Sequence, residues 1–306
     1  MCIRDSHGSP PSQWRGDADP VVRWVQDPWR EATSVYGPVG TWLMGLSAQV
    51  GGELARQVVW VWQALVVGAW LGVRELLVRL GTDRPTVDRW WTTNVLVVGA
   101  GVLGAHVDTL AVCAMAAALG LGLAGRPLLA GLATGLAAST KLTAGVVGVA
   151  LLWGWLGTSP RPRRWVEVAR LVVGTLIVLV PAHAFVGRAA LTRIGEAGSG
   201  ISYAMPWRSV YTLLDLWLDE GVARSVTTWV AAIGCVLLAV ALWRITDGLT
   251  EVVAVRALFV LTTAYSLGAG YVLPWYELPQ WLATAVLVGL VGHEGWRRLR
   301  PLLLLL

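Results

Sequence analysis

Residues Leu128–Gly157 read LLAGLATGLAASTKLTAGVVGVALLWGWLG. As one α-helix this run would be about 45 Å long, against a bilayer hydrocarbon core of about 30 Å. Its middle, Ser139-Thr140-Lys141-Leu142-Thr143, holds a charge and three hydroxyls. Either one long helix projects from a membrane, or two short helices meet at that polar tip, and the pair is the favoured reading. The rest of the chain extends the pattern. Of 306 residues, 56% are hydrophobic and 14% charged, well under the roughly 25% charged residues of a soluble domain. Intrinsic disorder is excluded by the same figures, and three Cys cannot staple a chain of this length. What remains is an all-α polytopic membrane bundle of roughly eight to ten transmembrane or half-membrane helices. The arginines are scattered between apolar runs, which argues against nucleic acid as a partner.

Further apolar runs cover Val39–Val50, Gln57–Val78, Trp91–Ala105, Thr109–Ala124, Val168–Val186, Val222–Trp243, Ala257–Leu273 and Leu278–Val291. Let Val39–Val50 lie at the interface, each later run cross once, and Leu128–Gly157 go out and back. Arg79, Arg84, Arg89, Arg126, Arg161, Arg163, Arg164, Arg170, Arg244, Arg256, Arg297, Arg298 and Arg300 then fall in short inner loops, as the positive-inside rule requires. Residues 1–12 read as an artefactual or disordered start, its MCIRDS resembling translated adapter sequence. Residues 13–38 read as an extracytoplasmic loop segment and 39–292 as the transmembrane domain. The remainder, 293–306, reads as a cytoplasmic loop and the opening of a truncated span, so the whole is expected to be a fragment.

In this topology the polar motifs collect on the outer face. They are Ser34–Pro38 (SVYGP), His106–Thr109 (HVDT), Ser139–Thr143 (STKLT), Ser202–Arg208 (SYAMPWR) and Tyr271–Glu277 (YVLPWYE). The Pro-Trp pairs at Pro28-Trp29, Pro206-Trp207 and Pro274-Trp275 lie there too. A transporter would more often concentrate polar groups near the midplane, on broken helices.

Each motif has a chemical and a plain reading. Asp108 can act as general base, bind a divalent ion or orient His106; it is also a favoured N-cap for the run that follows. Lys141, the only lysine among 24 cationic residues, can reach an anionic headgroup, with Thr143 opening a helix beside it. Alternatively it merely snorkels at a helix end. Arg208 offers a bidentate phosphate contact or an interfacial anchor. Trp207, Trp275 and Tyr276 can stack on a sugar ring, or belong to the aromatic belt. Asp27, Glu31 and Tyr36 are candidates for an acceptor groove. No Walker loop, HExxH or GxSxG is present, so ATP-driven transport and the motif-marked hydrolases lack support.

Taken in order, these residues resemble the GT-C superfamily of polytopic glycosyltransferases, and within it the polyprenol-phosphate-mannose-dependent α-1,6-mannosyltransferases. Ser34–Pro38 is similar to that family's S-x-Y-G-P segment. Asn94–Val97 with His106–Asp108 resembles its N-P-L-V and H-N-D patterns, with Val95 in place of Pro and Val107 in place of Asn. Gly131–Thr143 is similar to its Gly/Ala-rich run ending in Lys, and Tyr271–Tyr276 to its P-W-Y segment. The resemblance implies a polyprenyl-phosphate sugar donor, a glycan or glycolipid acceptor, and a multi-pass place in a bacterial cytoplasmic membrane with the site on the extracytoplasmic face. Lys141, Thr143 and Arg208 would bind the donor phosphate. Asp108 or Asp27 would be the base, and His106, Tyr36, Trp207, Trp275 and Tyr276 would line the substrates. No cofactor is demanded beyond a candidate divalent cation, and no metal ligands are assigned. The family's key acid lies in the first outer loop, upstream of much of this chain. The competing classes are a transporter or lipid flippase gated by the same polar residues, and a non-catalytic membrane subunit.

Overall fold

The computed structural model describes residues 13, 30, 33–158, 161–186, 200–203, 205–291 and 299–300. Among them the chain is helical, without strands. Helix α1 (Pro38–Gly51) starts on a proline, whose missing N–H costs nothing in a first turn, and ends at Gly52 with φ +66°. Then follow α2 (Ala55–Arg79), α3 (Asp108–Leu123), α4 (Pro127–Thr140), α5 (Val146–Thr158), α6 (Arg161–Val186), α7 (Trp207–Asp215), α8 (Glu220–Ile245), α9 (Val253–Gly268) and α10 (Leu278–Leu290).

Among the described residues three helices are long and apolar enough to cross a membrane: α2, α6 over Arg163–Val186, and α8. Their outer faces carry exposed apolar side chains, such as Val59 and Trp60 on α2, Val173 and Ile177 on α6, and Val236 and Leu237 on α8. Apolar surface that continuous belongs against lipid. The protein is therefore a multi-pass membrane protein. Inside this shell run α3, α9 and α10, which supply much of the core: Val112, Met115 and Leu119; Leu258 and Phe259; Leu282, Val286 and Leu287.

The long run divides as expected. Lys141 adopts extended backbone (φ −149°, ψ 123°) between α4 and a 3-10 turn over Leu142–Gly145. Gly145 then lies against Ala138 and Gly148 against Thr134, so α4 and α5 fold back on each other. Each is about 20 Å long, too short to cross alone.

One sequence expectation needs correction. Trp91–Ala105 does not form a regular span. One π-helical segment, Asp88–Thr92, runs into it and a second, Val97–Leu103, lies within it and meets α3 at a bend of 110°. The cause is local: Asn94 Oδ1 accepts from the backbone N–H groups of Leu96 (2.9 Å) and Val97 (3.3 Å) and so restarts the helix. Gly99, Gly101 and Gly104 leave the following turns weakly constrained.

The two ends of the bundle differ. At one end Gly120 lies against Leu80, Gly122 against Leu151, Gly154 against Ala254 and Gly289 against Thr82. Helix ends there carry two anchored arginines. Arg74 binds Asp88 through Nε at 2.8 Å and Nη2 at 3.1 Å. Arg256 binds Asp247 (2.7 Å), Thr246 Oγ1 (3.2 Å) and the carbonyl of Trp243, tying α9 to the last carbonyls of α8. The opposite end gathers the polar motifs.

Candidate functional site

The site is built on the turn that leads into α3. The N–H of His106 donates to Gly101 O at 3.0 Å. From α2, Trp62 Nε1 donates to Ala105 O and Gln63 Nε2 to Val102 O, both at 2.7 Å. Ala105 has φ +50° and is the one non-glycine residue with positive φ among the described residues. A side chain in that region costs about 1 kcal/mol, and the bonds from Trp62 and Gln63 hold the turn in spite of it. Ala105→Gly is accordingly expected to raise the stability of the protein by about 1 kcal/mol, read as a higher unfolding midpoint in detergent. An unchanged or lower midpoint would show that the turn carries no such strain.

Asp108 opens α3 but does not cap it, since its side chain bonds no backbone N–H of that first turn. Both carboxylate oxygens go elsewhere. Oδ2 accepts from His106 Nδ1 at 2.6 Å, and Oδ1 is hydrogen-bonded and ion-paired to Lys141 Nζ. Asp108 is 2% exposed. Lys141 therefore does not snorkel. Its ammonium turns inward, over the ring of Tyr276 at 3.4 Å from the centroid, a cation–π contact inside a desolvated cluster. Burial pulls the Lys141 pKa down from the ordinary lysine range, and the Asp108 carboxylate opposes that shift.

Aromatic rings enclose this pair. The His106 imidazole stacks on Trp275 (4.0 Å, 20°) and meets the edge of Tyr36 (6.1 Å, 75°). Tyr276 packs with Tyr265 at 6.4 Å, Tyr271 at 6.1 Å and Trp275 at 6.5 Å. Burial, followed by the Asp108 charge, pushes the Tyr36 hydroxyl up to about 12. Burial likewise raises Tyr276, so both phenols stay protonated and available as donors. Tyr36 is delivered by a close backbone approach. Gly37 N–H donates to Thr140 O at 3.1 Å, and a Cβ at Gly37 would overlap Ser139 O. A glycine is needed there for space, not for its φ.

Of the residues read from the sequence, Tyr36, His106, Asp108, Lys141, Trp275 and Tyr276 come together. Thr143 is exposed, one residue into the 3-10 turn, and the helix proper starts at Val146. Trp207 and Arg208 take a neighbouring position. Trp207 Nε1 donates to Gly268 O at 2.7 Å and Ser202 N–H to Gly270 O at 3.0 Å, which docks their segment on the link that leads to Trp275. The Arg208 guanidinium lies over Tyr203 (4.4 Å) and Tyr211 (5.2 Å). Among the described residues no contact joins it to Asp108 or Lys141. Asp27, Glu31 and the Pro28-Trp29 pair lie outside the described residues. Also among the described residues, no group of three or more His, Cys, Asp and Glu could hold a metal ion.

The sequence reading missed Trp62, Gln63 and Tyr265. Trp62 and Gln63 supply two donors inside an apolar run, which is a usable signal. Tyr265 looks like any aromatic in a buried helix.

A shell of lipid-facing helices around a buried trio, with short folded-back helices and a polar, aromatic cluster at one end, defines a polytopic membrane protein with a GT-C-like fold. The crystal structure of ArnT from Cupriavidus metallidurans bound to undecaprenyl phosphate has the same fold. It aligns with a TM-score of 0.56 at 15% identity, over 99% of this chain and 57% of the ArnT chain. This chain thus spans a little over half the length of that protein. No curated protein matches it in sequence. Residues 6–157, just under half of the chain, match the family described as Alpha-(1->6)-mannopyranosyltransferase, N-terminal domain.

Proposed function

We propose that this chain forms part of a membrane glycosyltransferase that moves a sugar, mannose, from a polyprenyl-phosphate donor to a glycan or glycolipid acceptor. The reaction takes place at the extracytoplasmic face of a bacterial cytoplasmic membrane. The observation that carries this reading is the meeting of four distant segments, SVYGP, HVD, STK and PWY, around one buried Asp108–Lys141 pair. The ArnT structure is bound to undecaprenyl phosphate, which supports a lipid phosphate as partner.

In this reading the Lys141 ammonium accepts the donor phosphate as a second counter-ion and stabilises the charge it gains on leaving. Protonated Tyr36 and Tyr276 donate to the same oxygens, and Trp275 offers a face to the sugar. Arg208, stacked at the rim, meets the headgroup as it enters. Both Asp108 oxygens are already engaged within the cluster, so we assign phosphate neutralisation to Lys141 rather than to a divalent cation. An acceptor hydroxyl attacks the anomeric carbon in line, the carbon–oxygen bond to phosphate breaks with its electron pair on the phosphate, and the centre inverts.

Two measurements test the reading. Purified full-length protein should transfer labelled mannose from polyprenyl-phosphate mannose to a glycolipid acceptor. Single cysteines at positions 106, 141, 207 and 275 should be labelled from outside only. Labelling from both sides in alternation would favour a transporter or flippase instead.

A further inference from the structure

We infer that His106, not Asp108, takes the proton from the acceptor hydroxyl, with Asp108 holding the imidazole for that purpose. The inference rests on the transferase reading above and specifies its proton acceptor.

Asp108 is poorly placed to meet a substrate. It is 2% exposed, and each oxygen already has a partner, His106 on one side and Lys141 on the other. Reaching an incoming hydroxyl would mean breaking a charged hydrogen bond inside a low-dielectric cluster, where such a bond is strongest.

His106 has the complementary arrangement. With a carboxylate 2.6 Å from Nδ1, the imidazole carries its hydrogen on Nδ1 and donates it to Oδ2. The lone pair is then on Nε2, as a carboxylate partner dictates. Nε2 has no partner among the described residues. The ring is fixed in orientation by stacking on Trp275 at 4.0 Å and by the edge of Tyr36. Its backbone is pinned through Gly101 O. The groups that face it are Asp108 from α3, Tyr36 from the segment before α1, and Trp275 from the link before α10. Lys141 stands on the far side of Asp108. An oriented imidazole with one unpartnered nitrogen is the arrangement of a general base.

The step balances. The acceptor O–H proton passes to Nε2, the oxygen's electron pair forms the new bond to the anomeric carbon, and the old carbon–oxygen pair leaves with the phosphate. The imidazolium is held by the Asp108 carboxylate and later returns its proton to water. Charge also stays local, because His106 becomes positive as the departing phosphate becomes more negative beside Lys141.

The experiment compares His106→Asn with wild type in the full-length protein, using polyprenyl-phosphate mannose as donor. An Asn amide nitrogen stands where Nδ1 stood and keeps the bond to Asp108, while Nε2 is gone. We expect kcat to fall by about 10²–10⁴-fold with the KM for donor little changed. Imidazole added to His106→Gly should restore part of the rate. A rate for His106→Asn within about tenfold of wild type overturns the assignment. So does a folded, donor-binding His106→Gly that imidazole does not restore. Wild-type protein that transfers no sugar from this donor overturns the transferase reading itself, which is a separate result.

Discussion

Lys141→Met should reduce sugar transfer by at least about 10²-fold, the range seen when a preorganised charge is removed from a developing anion. The same substitution should also destabilise the fold. The ammonium is the cationic partner of a carboxylate that is 2% exposed, and breaking a buried pair from one side costs about 3–5 kcal/mol. The two effects can be separated. Combining Lys141→Met with Asp108→Asn removes the stranded charge, so the double variant should recover most of the lost stability. It should recover none of the transfer, because no cation remains for the phosphate. The two substitutions are therefore expected to be strongly non-additive in stability and not in activity. Thermal unfolding in detergent and a radiolabelled transfer assay on the four proteins complete the cycle. If Lys141→Met turns over at the wild-type rate, Lys141 has no part in handling the phosphate. If the double variant is as unstable as the single one, the Asp108–Lys141 contact is not an ion pair.

The division of labour between sequence and structure follows from what each kind of signal contains. The break at Lys141 was legible because a largely apolar run of thirty residues exceeds one membrane thickness and the only lysine sits in its middle. The gathering of SVYGP, HVD, STK and PWY at one end was legible because alternate crossings put every second link on the same side. What linear order cannot contain is rotamer and partner choice. Asp108 and Lys141 are 33 positions apart, and nothing local reveals that the lysine turns inward onto Tyr276 instead of outward. The π-helical course of Asp88–Leu103 escaped for a similar reason. Apolar composition suits a span, and only the side chain of Asn94, bonding two following N–H groups, shows where the helix restarts. Arg208 looked like a phosphate arm by type, yet two tyrosines whose rings it covers lie on either side of it in sequence, at 203 and 211.

Gly131→Leu should be as damaging as Lys141→Met, from a position nearly three turns back in the helix that ends at Lys141. Helices α4 and α6 meet backbone to backbone. A Cβ at Gly131 would overlap Leu171 O, one at Gly174 would overlap Leu128 O, and one at Gly135 would sit 2.6 Å from Thr175 O. In a membrane, where helices gain nothing by hiding apolar surface from water, such small-residue faces supply the close packing that holds them together. A leucine cannot be taken up by a flexible neighbour, because the atoms it meets are carbonyls of a rigid helix. The helices must separate, at a cost of about 1–3 kcal/mol or more. Lys141 is the residue at which α4 ends, and Thr140 O is the acceptor that holds Gly37 and with it Tyr36. A shift of α4 therefore moves two walls of the site at once, and transfer should fall even though every polar group is intact. Gly68→Ala is the control: a Cβ at Gly68 meets nothing within 4 Å, so it should be neutral or slightly stabilising, by up to about 1 kcal/mol. Unfolding midpoints and transfer rates for both variants decide the matter. A Gly131→Leu protein that melts and turns over like wild type would mean that the seat of Lys141 does not depend on the glycine face beneath it.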